Sequence, residues 1–458
     1  MSVMLELCTC SYTEKNIFLD ILPFLKMVSL VCFSRAILAN DDIRPSTPIT
    51  RLLLNDFWGT PLRHSGSHKS YRPLTVLTFR LNYLLGGLKP LGYHVVNVLL
   101  HALVSGLVPV WASLGPRVSK HTALLAGLLF AVHPVHCEAV AGVVGRAELA
   151  ATATMLLSLI AFHKHQLPLT ILLSGVALLF KEQGLMTLPL CAVFHLLRRR
   201  RTVATQDRVM ATMAAAFLAQ LLLRFCVMGA ALPNFSSADN PAAHARPITT
   251  RLLTFLHLPV INFGLLIHPA VLSFDWSMDA VPLVTTVADP RNAASLLFYL
   301  CLGGATFKSL RRWTSSLDRN DNKMAAAAGD SRCKCEQLAM GLAVVVLTYL
   351  PIANVVGYVG FVVAERTLYA PSLGLCLLVA VGASKLWNSC GRRGLMLKRT
   401  LLVALAICLL LSLAVKTWRR NADWHDEEAL YRSGIPVNPP KGLMDSSLAR
   451  FLFLSLSL

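Results

Sequence analysis

Residues 401–415 read Leu-Leu-Val-Ala-Leu-Ala-Ile-Cys-Leu-Leu-Leu-Ser-Leu-Ala-Val, with no charge before Lys416. The apolar run around them, 397–416, is long enough for a helix to cross a hydrocarbon core about 30 Å thick. Similar runs recur at 92–114, 121–134, 147–163, 167–180, 184–197, 209–231, 293–310, 337–356 and 361–388. A weaker run, 16–33, is broken by Asp20 and Lys26 and has no tidy cleavage site, so it reads as a poor first span rather than a signal peptide. The 458 residues are 55% hydrophobic and only 15% charged, where soluble domains carry nearer a quarter. Together these features predict an all-α polytopic membrane protein with about eleven transmembrane helices.

The formal charge of +19 does not point to nucleic acid. Its basic residues cluster in short loops, at Arg198–Arg201, Arg311-Arg312 and Arg392-Arg393. That is the positive-inside pattern, and no basic stripe interleaved with aromatics is present. Placing loops 198–208, 308–336 and 389–398 in the cytosol puts 34–91, 133–146, 181–183, 232–292, 357–360 and 417–458 on the other side. The scheme requires that 252–273, with His257, Pro259, Asn262 and Pro269, does not cross; it reads as an interfacial or re-entrant helix. The layout is an atypical segment 1–33, a first non-cytosolic loop 34–91 and a multi-span region 92–416, with a large loop at 232–292 and a tail at 417–458. The sequon Asn234-Phe235-Ser236 falls in a loop already placed outside the cytosol, making Asn234 a glycosylation acceptor. Most of the twelve cysteines lie in apolar runs and read as small hydrophobes, with no disulfide framework and no structural zinc.

The polar motifs gather on the non-cytosolic side, at or near span ends. They include Ser67-His68-Lys69-Ser70-Tyr71-Arg72-Pro73, His133-Pro134-Val135-His136-Cys137-Glu138, Gly145-Arg146-Ala147-Glu148 and Lys181-Glu182-Gln183-Gly184. Ser273-Phe274-Asp275-Trp276 and Ala364-Glu365-Arg366-Thr367 complete the set. One ionisable residue at a span end is as often a snorkelling anchor as a functional group; such motifs in five loops on one face suggest a polar cavity at one leaflet. The carboxylates Glu138, Glu148, Glu182 and Asp275 have the chemistry of a general base or a metal ligand. Lys69, Arg72, Arg146, Lys181 and Arg366 suit a phosphate, the arginines bidentately. His133 and His136 could ligate metal, but without a clear third ligand they more often cap a helix or bond to backbone, so no metal site is assigned and a divalent metal requirement stays open. Charges of both signs near the headgroups fit an enzyme with a phospholipid-linked donor.

The stretches 61–74, 130–146, 181–184, 273–279 and 360–369 resemble the transmembrane and tetratricopeptide-repeat (TMTC) family, and the resemblance covers about 34–442. The wording of 273–282 and of Leu430–Gly434 points to its second vertebrate branch. The resemblance implies a GT-C-like bundle with luminal loops in the endoplasmic-reticulum membrane. It implies transfer of mannose from dolichyl-phosphate mannose to Ser and Thr hydroxyls of luminal acceptors, notably cadherin-type domains, with tetratricopeptide repeats after the last span. Two departures stand out. The family carries an Asp-Asp pair just before Ser-Arg-Ala-Ile, whereas Leu30-Val31-Cys32-Phe33 precede Ser34 here, leaving Glu138 as the tentative catalytic carboxylate. The sequence after Gly442 has no 34-residue period, so it reads as truncated before the repeats. The family reading therefore predicts a weak or inactive mannosyltransferase. A non-catalytic membrane scaffold and a transporter are the alternatives; the transporter is disfavoured by charges at one face rather than at the midplane and by the lack of repeated spans.

Overall fold

Apolar runs become helices where capping and breaking residues delimit them. The computed structural model describes residues 34–198, 204–229, 235–318, 325–355, 357–389 and 395–438. The weak run 16–33, the sequon residue Asn234 and much of the basic loops (199–203, 319–324, 390–394) lie outside the described residues. α1 (Pro73–Gly86) starts on a proline and stops at Gly87, whose φ of 61° lies in the left-handed region open to glycine. α2 (Pro90–Ser113) likewise opens on proline. α3 (Lys120–Ala131) is capped by Ser119, whose hydroxyl accepts from the Thr122 amide at 3.1 Å. His133-Pro134 then ends it, and the chain bends by 50° into the short α4 (Cys137–Ala141). α5 (Arg146–His163), α6 (Leu167–Phe180), α7 (Thr187–Arg198) and α8 (Ala204–Val227) follow. After α9 (Pro241–His244) come α10 (Ile248–Ile267), α11 (Arg291–Asp318), α12 (Ala325–Tyr349), α13 (Tyr369–Asn388), α14 (Leu395–Asp423) and α15 (Glu427–Gly434). The described residues contain no strand, only an isolated bridge between Asn55 and Pro61.

Among them, eight helices are long and apolar enough to cross a membrane, or nine with the bent α3–α4 pair, and α6 and α7 lie in shorter apolar helices. The protein is thus an all-helical, multi-pass membrane protein. Its centre is α5, 83% of whose most apolar window is buried, whereas the corresponding window of α14 is 0% buried. Val104, Phe130, Leu149, Leu156, Val344 and Leu373 from α2, α3, α5, α12 and α13 meet in the main core. Leu401, Leu405 and Leu411 of α14, with Leu296, Leu300 and Phe307 of α11, face outward as a hydrocarbon-compatible rim. Helix pairs cannot gain a hydrophobic driving force inside lipid, so close backbone approach matters. α12 and α13 supply it: a Cβ at Gly374 would lie 2.4 Å from the Gly341 carbonyl oxygen and 2.6 Å from Val345.

The segment 34–72 is not a slack loop. Ile37, Ile43, Leu52 and Phe57 pack with Val76 and Phe79 of α1, and Asn40 donates to the Phe57 carbonyl at 3.2 Å. α10 holds Pro259 yet is one continuous helix of 20 residues, which by length and composition could either cross or lie at the interface. Its polar residues face protein, His257 on Ser295 and Asn262 on Tyr349. These partners sit near the start of α11 and the end of α12. Both flanks of α10 are tied to the chain joining α12 to α13: Asn240 donates to the Val359 carbonyl at 2.9 Å, and the Ser273 amide donates to Glu365 at 2.6 Å.

Two outcomes follow. Gly374→Ala should force α12 and α13 apart and cost about 1–3 kcal/mol, read as a lower thermal midpoint in detergent; an unchanged midpoint would mean that the pair has slack. Sequons placed near residues 65 and 285 should both be glycosylated and one within 315–330 should not; modification at only one of the first two would show that α10 crosses.

Candidate functional site

Buried charge needs a partner, and the motifs supply partners to one another across the chain. The Lys181–Gly184 turn joins α6 to α7 and is held from three sides. Thr75 donates to the Phe180 carbonyl at 2.8 Å. Gln183 donates to the Thr367 carbonyl at 3.1 Å and to that of Thr348 at 3.3 Å. Gly184 sits where a Cβ would come within 2.2 Å of the Ala177 backbone, so no larger residue allows this turn.

So fixed, Glu182 accepts from Arg72 Nη2 at 2.9 Å and from Arg224 Nη2 at 2.7 Å. Arg224 also donates to the Tyr71 carbonyl at 3.2 Å, tying α8 to the segment before α1. Next door, Lys181 pairs with Glu148 of α5, both buried. Burial pushes the Lys181 ammonium below its ordinary value, and Glu148 opposes that shift. Arg366 pairs with Glu138 of α4, its own amide donating to the Glu138 carboxylate at 2.8 Å, and its Nε lies 3.9 Å from Glu148. Glu148 Oε2 is buried with no hydrogen-bond partner. The Arg366 and Glu182 side chains each keep 31% exposure while Lys181 and Glu148 keep 6% and 1%, so the cluster has an open mouth over a closed floor.

Behind Arg366, the fully buried Glu365 accepts from the Ser273 amide and from Trp276 Nε1 at 3.2 Å. Asp275 accepts from the Ser277 hydroxyl at 2.7 Å and so shapes its own loop. The other sequence-derived residues stand apart. Arg146 is fully buried, donating to Asn97 at 2.9 Å, to the Tyr93 carbonyl at 2.7 Å and to Asn82 and Thr78, with its guanidinium over the Phe79 ring. Those bonds clamp α1, α2 and α5 together, which leaves Arg146 in the core rather than with the phosphate-binding set proposed from sequence. Lys69 turns back onto the Leu62 carbonyl. His133 accepts from the Val135 amide and bonds the Leu266 carbonyl at 3.0 Å, a helix cap of the expected structural kind; His136 meets Ser372 at 2.8 Å. No group of three or more His, Cys, Asp or Glu with metal-binding geometry occurs among the described residues. In the first loop, Asp42 accepts from Asn55 at 2.9 Å, and burial raises its carboxyl above the ordinary value.

Sequence reasoning missed Arg224. The signal was present: it is the lone charge in Leu221-Leu222-Leu223-Arg224-Phe225-Cys226-Val227, and a charge inside a span asks for a partner.

The family model described as "Protein O-mannosyl-transferase TMTC, DUF1736" matches residues 229–303, from the end of α8 into α11. Mouse "Protein O-mannosyl-transferase TMTC2" is 41% identical over 89% of this chain and 56% of its own. Drosophila "Protein O-mannosyl-transferase Tmtc1" is 41% identical over 89% and 55%, and human TMTC3 is 38% identical over 88% and 45%. The chain thus spans about half the length of the curated relatives it matches. No solved structure matches it.

Glu148→Ala should strand the Lys181 ammonium in the floor and cost about 3–5 kcal/mol, with Glu148→Gln milder. Thermal unfolding in detergent reads both; equal, small effects would show that the pair is not closed off from water.

Proposed function

Because the chain belongs to the TMTC protein O-mannosyl-transferase family, we propose that its bundle transfers mannose from dolichyl-phosphate mannose to Ser and Thr hydroxyls of luminal proteins, cadherin-type domains among them, in the endoplasmic-reticulum membrane. One observation carries this reading: charged groups from six separate parts of the chain meet in a single cluster whose mouth is partly exposed and whose floor is buried.

The reaction breaks the bond between mannose C1 and the phosphate oxygen and joins C1 to the acceptor oxygen. The departing dolichyl phosphate gains negative charge, which Arg72, Arg224, Arg366 and Lys181 are disposed to stabilise. A guanidinium matches two phosphate oxygens at once, so Arg366 could exchange its bond to Glu138 for one to the donor. That exchange frees the Glu138 carboxylate, which then takes the proton released by the acceptor hydroxyl. Arg72 and Arg224 are paired with Glu182 and Arg366 with Glu138, so donor binding would exchange one anionic partner for another, and the carboxylate released from Arg366 is the one that takes the proton.

The positions where the family carries its acidic pair are Cys32 and Phe33 here, outside the described residues. A carboxylate that orients or deprotonates the acceptor contributes about a hundred- to ten-thousand-fold, so the chain as written should be slow. That feature also favours a second reading, a membrane scaffold that binds the donor without turnover.

Transfer from radiolabelled dolichyl-phosphate mannose to a cadherin-type domain, measured in microsomes, tests both readings. Arg366→Ala should lower kcat/KM for the donor by at least about tenfold, and Cys32→Asp with Phe33→Asp should raise transfer by about a hundredfold or more. Donor binding with no transfer even in the restored form would establish the scaffold. No binding at all would remove both.

A further inference from the structure

The tail beyond α14 is built into the bundle. Trp424 and Leu430 pack with Cys137 and Ala141 of α4, and Phe274 lies against them. The Phe274 and Tyr431 rings meet edge to face, 5.4 Å apart. Within this tail the buried Asn438 donates to the Ser273 hydroxyl at 2.8 Å and to the Asp275 carbonyl at 2.6 Å. Ser273 in turn donates its amide to Glu365, and Glu365 immediately precedes Arg366, whose amide and guanidinium hold Glu138. An unbroken line of bonds therefore runs from the tail, through the 273–276 loop, to the half-buried Arg366 of the cluster.

We propose that Asn438 and Glu365 are positioning residues: docking of the tail on the 273–276 loop sets where Arg366 stands over Glu138. The inference rests on the mannosyltransferase reading only for its effect on turnover. The joint is polar and incompletely bonded. Glu365 Oε2, Arg420 Nε and Nη2, Trp424 Nε1 and Asn438 Oδ1 are all buried without hydrogen-bond partners. Two acceptors and three donors thus remain free where the tail, the loop and the 365–368 turn come together. Spare capacity of that kind suits a joint that shifts partners as the tail engages or releases, unlike the fully bonded clamp around Arg146. Arg420 is held on Asp423 at 2.9 Å, so the tail carries its own counter-charge and does not depend on Glu365 for neutrality.

Glu365 has two separable properties. As an acceptor through Oε1 it fixes Ser273 and Trp276; separately, it is an ionisable group. Glu365→Gln keeps an acceptor oxygen and removes the charge, whereas Glu365→Ala removes both. Positioning depends on the acceptor, so the glutamine variant should behave like the native chain.

Hydrogen exchange on the purified chain in detergent decides the matter without any assay of activity. The Ser273 and Arg366 amides are both hydrogen-bonded to carboxylates and report each step of the line. In Asn438→Ala, both amides should exchange about tenfold faster, with helix amides of α5 unchanged. Glu365→Ala should reproduce this and Glu365→Gln should not. Unchanged exchange at Arg366 in Asn438→Ala would overturn the proposal, whether or not the chain transfers mannose. In the transfer assay the same two alanine variants should raise the donor KM more than they lower kcat, with glutamine restoring both. A response in exchange combined with no transfer by any form would leave the coupling standing and remove the enzymatic reading.

Discussion

Charge buried in a helical membrane bundle has to be matched within the protein, because neither lipid nor the packed interior can solvate it. That requirement organises this structure at two depths. In the core, the guanidinium of Arg146 is spread over Asn82, Asn97 and the backbone of Tyr93 and Thr78, which binds α1, α2 and α5 into one body. Nearer the end of the bundle, Lys181 answers Glu148 and Arg366 answers Glu138. A buried ion pair gains little stability over an apolar pair of the same size, yet removing one partner is severe, so such pairs fix geometry more than they add stability.

The same accounting separates scaffold from site. Arg146 is fully enclosed and has neutral partners, so it has no reason to release them. Arg366, Arg72 and Arg224 hold carboxylates beside a partly open mouth, and an anionic ligand offers them an equal exchange. Two residues in similar motif positions, Gly145-Arg146 and Glu365-Arg366, therefore have different chemistry for a reason that is purely one of burial and partner type.

α10 and the tail close this end of the bundle. α10 places His257 and Asn262 against the ends of neighbouring helices, and the chain on either side of it is stitched to the segment joining α12 to α13. The tail then locks onto the loop that follows α10. The stretch matched by the family model, 229–303, is thus the piece that joins the rim of the cluster to what comes after the last long helix.

The sequence by itself determined the class, the helices and the chemical vocabulary. Runs such as 401–415 cannot be solvated by water at low cost, and prolines at 73, 90 and 134 stand where helices start or bend. Those are local properties, so they were legible residue by residue, as was the gathering of Arg72, Glu138, Lys181 and Arg366 near span ends. Which carboxylate each cation meets was not legible, because the partners lie 33 to 228 positions apart and a choice among them is made only when helices pack. Arg224 escaped notice for the same reason: its motif is a lone charge in an apolar run, and its meaning comes from Glu182 on another helix. Arg146 shows the converse. Its residue type promised an anion site, and only the tertiary structure, by surrounding it with amide and carbonyl oxygens, made it a structural clamp.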